Sequence, residues 1–73
     1  MTVCDMKTGE EGIIERVELS REVCERLRYL GASAGGRLTL LKRIFKKTYL
    51  IHARSAKIAI GREVAEGIII CRK

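Results

Sequence analysis

Residues 20–44 read SREVCERLRYLGASAGGRLTLLKRI, and this stretch decides the fold. Ser20 carries a hydroxyl able to accept a backbone N–H of a first helical turn. Val23, Cys24, Leu27 and Leu30 follow at the i, i+1, i+4, i+7 spacing that gathers side chains on one helical face. Glu22 and Glu25 stand toward the positive end of the helix dipole, Arg26 and Arg28 toward the negative end. Glu22 and Arg26 are an i,i+4 pair in the favourable order. Gly31 then offers the left-handed residue that commonly ends a helix. The spacing predicts a helix of about three turns over 21–30, with the chain reversing at Gly35-Gly36. A helix with a single apolar stripe needs a surface to cover, so the rest of the chain must supply a sheet.

That sheet is legible on both sides of the helix. Thr8 to Gly12 is a turn, and Gly12 to Leu19 a strand whose alternation breaks at Glu15. Val3 to Lys7 reads as a short first strand or an extended arm. After the helix, Arg37 to Ile44 is a second long strand. Leu38 and Leu40 share a face, and Lys42 would follow them inward, so a bulge near Leu40-Leu41 is expected to restore the phase. Phe45 to Thr48 connects to a strand over Tyr49 to Arg54. Arg54-Ser55-Ala56 is a turn and Lys57 to Ile60 a short strand. Gly61 to Gly67 is too glycine-flanked for a long helix and reads as a helical turn, and Ile68 to Cys71 closes the sheet on β-branched residues. About five short strands in 73 residues make one mainly β domain, expected as a small bent barrel with one inserted helix at about 20–30 and a short helical turn at about 61–66.

Composition bounds the function. At 47% hydrophobic and 33% charged, the chain reads as globular. A domain of this size buries only roughly 60% of its unfolded surface, which leaves little room for an internal active site. No apolar run is long enough to span a bilayer. No secretory signal is visible after Met1, so a cytoplasmic location is expected. Residues 1–36 carry five basic and seven acidic side chains, residues 37–73 ten basic and two acidic. Eight basic residues and no acidic one lie from Arg37 to Arg62, enough positive potential to steer an acidic partner. Cys4, Cys24, Cys71 and His52 are scattered without the close pairs of a zinc site, so no metal site is assigned and the thiols read as reduced, small hydrophobes. One histidine, one aspartate and three serines do not form a nucleophile–base–orienter set, so the chain is not expected to be an enzyme or to need a cofactor.

A series of segments carries a family resemblance. Gly9-Glu10-Glu11-Gly12-Ile13-Ile14 is followed by Arg26-Leu27-Arg28-Tyr29-Leu30-Gly31, then by Gly35-Gly36-Arg37-Leu38-Thr39-Leu40-Leu41-Lys42. Ile58-Ala59-Ile60-Gly61-Arg62-Glu63-Val64-Ala65 and Ile68-Ile69-Ile70 complete it. In this order the segments resemble the FeoA family of small ferrous iron transport proteins, over nearly the whole chain. The resemblance implies an SH3-like β-barrel and an accessory role beside FeoB, the membrane ferrous iron transporter with a cytosolic GTP-binding region. The same domain type forms the SH3-like part of metal-dependent repressors. Ala34 stands where the family often has a proline.

Under that reading, the candidate partner-binding residues are Arg26, Arg28 and Tyr29 at the helix end, with Lys42, Arg43, Lys46 and Lys47 around the hairpin. Two other readings compete. Phe45-Lys46-Lys47-Thr48-Tyr49 places two aromatics around two lysines, the ingredients of a single-stranded nucleic-acid surface. A metal-binding module would use the thiols and His52, with Cys4 and Cys71 brought close if the first and last strands pair.

Overall fold

The computed structural model describes residues 1–54 and 56–71. Five antiparallel strands form one sheet in the order β4-β3-β2-β1-β5: β1 Glu11–Val17, β2 Arg37–Ile44, β3 Thr48–Ala53, β4 Ala56–Gly61 and β5 Ile68–Cys71. Helix α1 spans Arg21–Leu30 between β1 and β2, and α2 spans Arg62–Gly67 between β4 and β5. One apolar cluster takes Ile14, Leu38, Leu40, Tyr49, Ile51, Ile58, Ile60, Ile68 and Ile70 from all five strands, so the sheet curls around a shared interior. β4 and β5 are its two edges, and α2 joins them with Ala65 fully buried. This is the expected mainly β, SH3-like arrangement. Of the expected turn at 54–56, Ser55 lies outside the described residues.

Two irregularities set which side chains face inward. In β1 the register against β5 steps from Ile14↔Ile70 to Arg16↔Ile69, leaving Glu15 as the extra residue. That bulge answers the broken alternation: Ile14 is buried and Val17 half-buried, while Glu15 and Arg16 stay in water. In β2 the register against β3 steps from Leu40↔Ile51 to Lys42↔Leu50, so Leu41 is bulged as expected. Lys42 is thereby turned outward, and Arg43, still exposed itself, takes the side of the sheet that carries the buried Tyr49 opposite it.

The N-terminal segment departs from the expected strand or arm. Val3–Asp5 is a turn of 3-10 helix closed by a capping box: Cys4 N–H donates to Thr2 Oγ1 at 3.2 Å, and Thr2 N–H donates to Asp5 Oδ2 at 2.9 Å. The local signal was a Thr and an Asp three apart, which satisfies two orphan helix donors at once. Val3 within the turn and Met6 just after it are fully buried, and Thr2 bridges Ile69 on the outer side of β5.

Helix α1 ends as expected. Val23 N–H donates to Ser20 Oγ at 3.3 Å, and Gly31 terminates the helix at φ 104°. Its stripe is less buried than its spacing suggests. Leu27 is 4% exposed, Val23 and Cys24 are half-buried, and Leu30 is 42% exposed. The helix therefore meets the sheet through its middle, and its last turn runs past the covered area. The i,i+4 ion pair is Arg21–Glu25 at 3.6 Å rather than Glu22–Arg26.

Candidate functional site

Because α1 touches the sheet chiefly along Leu27, a groove opens on each flank. One, of about 380 Å³, lies between the helix and the Ala32–Ala34 loop, with Val17, Cys24 and Arg28 in its walls. The other, about 190 Å³, runs between the helix and β4, lined by Val23, Arg26, Leu27, Leu30, Ile58 and Ile60. Tyr29 stands 94% exposed at the end of the helix. Arg26 and Arg28 make no ion pair among the described residues. Gly31 anchors this end: a Cβ there would lie 3.3 Å from the Arg54 side chain, so the β3–β4 turn packs directly against the helix terminus. Arg54 thus joins Arg26, Arg28 and Tyr29, although by sequence it is an ordinary turn residue.

The hairpin cations lie elsewhere. Lys47 N–H donates to Ile44 C=O at 3.0 Å, closing a two-residue turn whose centre is Phe45 at φ 51° and Lys46 at φ 59°. Both positive values match the turn type that suits a twisted hairpin, normally built from Asn and Gly. This tip sits at the start of β3, and Arg54 follows its end. Six strand residues separate the two by about 20 Å, most of the molecule's 26 × 25 × 22 Å extent. Six of the seven candidate residues, all but Arg43, therefore fall into two surfaces at opposite ends of one hairpin.

Arg43 belongs to neither surface in full. Its guanidinium donates to the Met6 carbonyl and lies 5.8 Å from the centre of the Tyr49 ring. It follows from the Leu41 bulge, which puts Arg43 on the same face as Tyr49. Lys42, Lys46 and Lys47 are exposed and unpaired among the described residues. Replacing Lys46 by Gly is expected to raise the unfolding midpoint by a few degrees. It removes a left-handed penalty of roughly 1–2 kcal/mol and costs roughly 0.5–1 kcal/mol in chain entropy; thermal unfolding followed by circular dichroism checks it.

The aromatic pair of the nucleic-acid reading is divided. Phe45 is 89% exposed, whereas Tyr49 is 4% exposed in the core. The Tyr49 phenol is held above its ordinary pKa, first by a hydrogen bond with Cys4 and then by burial. The two rings do not form one stacking platform.

The potential metal donors also stay apart. The Cys4 thiol faces the Arg62 carbonyl at 4.0 Å, and the Cys24 thiol donates to Leu19 C=O at 3.5 Å and Val17 C=O at 3.7 Å. Among the described residues, no three His, Cys, Asp or Glu side chains converge on a point that could hold a metal ion. Among the same residues, no helix is long and apolar enough to cross a membrane.

A curled five-stranded antiparallel sheet with a helix inserted between β1 and β2 defines a small SH3-like domain. A family model for the FeoA domain matches residues 1–72, and the chain belongs to that family, which is linked to ferrous iron transport. Solved structures agree on the fold. FeoA of Chlorobium tepidum superposes with a TM-score of 0.90 at 24% identity, over 96% of this chain and 68% of that one. A Stenotrophomonas maltophilia FeoA complexed with zinc, described as a prokaryotic SH3-domain protein, gives 0.82 at 17% identity, over 97% and 89%. A manganese-dependent transcriptional repressor gives 0.89 at 20% identity, over all of this chain and 41% of that one. Comparison with curated proteins by sequence finds no match.

Proposed function

We propose that this chain is a cytosolic accessory protein of ferrous iron transport that acts by protein–protein contact with the cytosolic region of a FeoB-like membrane transporter, and that it is not an enzyme. The observation that carries this reading is the end of α1. Tyr29, 94% exposed, stands there with Arg26 and Arg28, between two grooves that expose the half-buried stripe of the helix. Tyr and Arg are the residue types that anchor interfaces, since they combine large contact area with directional donors. The rigid cap at Gly31, wedged against Arg54, holds them in place before a partner arrives, which lowers the ordering cost of binding. The lysines at the far end add a positive field that speeds encounter with an acidic surface.

Binding to the isolated cytosolic region of the transporter tests the proposal. Arg26→Glu with Arg28→Glu is expected to weaken binding at least about tenfold, the scale of losing anchor residues. Reversing Lys42, Lys46 and Lys47, with Arg43 kept as the clasp on Met6 and Tyr49, is expected to act mainly on the association rate and its salt dependence. Unchanged affinity after the helix-end reversal would remove that surface from the account.

A further inference from the structure

We propose that the β2–β3 hairpin tip is a peripheral lipid-binding finger that seats on an anionic phospholipid surface. Phe45 is the only phenylalanine in the chain, and it is 89% exposed at the most projecting point of the hairpin. Ile44 beside it is 37% exposed. The tight turn, with φ 51° at Phe45 and 59° at Lys46, leaves no loop length for the ring to fold back onto the domain. A bulky residue rarely adopts that conformation, so the backbone carries strain to present an apolar ring to solvent.

The charges around the ring fit a headgroup layer. Lys42, Lys46 and Lys47 flank it along the chain, unpaired among the described residues, and β2, the turn and β3 carry no acidic residue of their own to repel lipid phosphates. Of the two arginines nearby, Arg43 is turned back to the Met6 carbonyl and the Tyr49 ring, and Arg62, next to the Gly61 that pairs with Thr48, is held by Glu66 at 3.3 Å. The free cations are thus all lysines, whose stems lie along apolar surface while their ammonium groups stay among phosphates. A protein partner would need a pocket for a convex tip. An interface needs only about 5–10 Å of penetration by an apolar side chain. The tip lies at the opposite end of β3 from Tyr29, so lipid contact at one end leaves the helix end accessible.

This inference goes beyond the transporter reading and requires no transporter, so its test contains none. The full chain is sedimented with vesicles of phosphatidylcholine alone and of equal parts phosphatidylcholine and phosphatidylglycerol. Binding is expected to the anionic vesicles only, falling roughly fivefold for each tip lysine neutralised and several-fold for Phe45→Ser. The chain has no tryptophan, so Phe45→Trp makes a single fluorescent probe at the tip. Its emission is expected to shift to the blue on binding and to be quenched by brominated acyl chains. Circular dichroism of each variant confirms that the fold is retained. Sedimentation with neither vesicle, equal binding to both, or anionic binding that ignores Phe45 and leaves the tryptophan unquenched would overturn the proposal. So would capture by polyglutamate with no capture by vesicles, which would assign the tip to an acidic protein.

Discussion

Leu40→Ala is expected to destabilise the domain by about 2–5 kcal/mol, the range for a buried leucine whose cavity cannot collapse. Leu40 is 0% exposed on the central strand β2, directly opposite Ile51, also 0% exposed. It is the last inward residue before the Leu41 bulge, so β2 cannot slide to refill the space without undoing the phase that turns Lys42 outward. A domain of 73 residues has a total stability of only roughly 4–11 kcal/mol. The change therefore removes a large share of it and lowers the unfolding midpoint by about 10–30 °C. Calorimetry reads the shift directly. A drop of only a degree or two would mean that the interior is not assembled around Leu40 and Ile51.

The second large effect comes from adding atoms. Gly12 of β1 pairs with Leu38 of β2, and a Cβ placed on it would lie 2.5 Å from Ile70 Cγ2. Ile70 is β-branched, 2% exposed and held in β5 against Ile14, so it has little freedom to yield. Gly12→Val is expected to cost about 1–3 kcal/mol through this overlap and to loosen the β1–β5 pairing. Gly61→Ala is the matched control. Nothing lies within 4 Å of its Cβ position, so it should stay within about 0.5 kcal/mol of the parent. Urea unfolding of the two variants side by side separates a steric cause from a general intolerance of glycine replacement. Equal stabilities would contradict the close approach of β1 and β5.

These two effects rest on parts of the structure that differ in how far the sequence announced them. The helix at 21–30 was legible because its signals are local: Ser20 at one end, Gly31 at the other, an apolar stripe between. The Leu41 bulge was legible for a different reason, since a lysine at Lys42 cannot follow Leu38 and Leu40 into a core. Its consequence one residue later was missed. Once Leu41 is extruded, Arg43 falls on the same face as Tyr49, and this exposed cation becomes a clasp on Met6 and Tyr49. The Thr2–Asp5 capping box was also overlooked, because a three-residue turn has no periodicity to detect.

The candidate site shows a limit of another kind. The sequence offers Arg26, Arg28 and Tyr29 at the helix end and Lys42, Arg43, Lys46 and Lys47 around the hairpin as contacts for one partner. Nothing in their order along the chain tells that a whole strand lies between the two groups in space. Leu30 fits the helical stripe as well as Leu27 does, yet stays 42% exposed, because burial depends on where the sheet ends and not on the helix. Arg54 entered the helix-end surface only through its contact with Gly31. Spacing identifies faces of single elements, while the meeting of faces from distant elements belongs to the topology.

Contact between the end of α1 and the transporter's cytosolic region remains the proposal to be tested. Amide hydrogen exchange of this chain, with and without that region added, tests it most directly. The account predicts slowed exchange concentrated in the last turn of α1, through Gly31 and at Arg54, with the core of β2 and β3 unchanged. Protection confined to β5 and the N-terminal turn, or none at saturating partner, would contradict it.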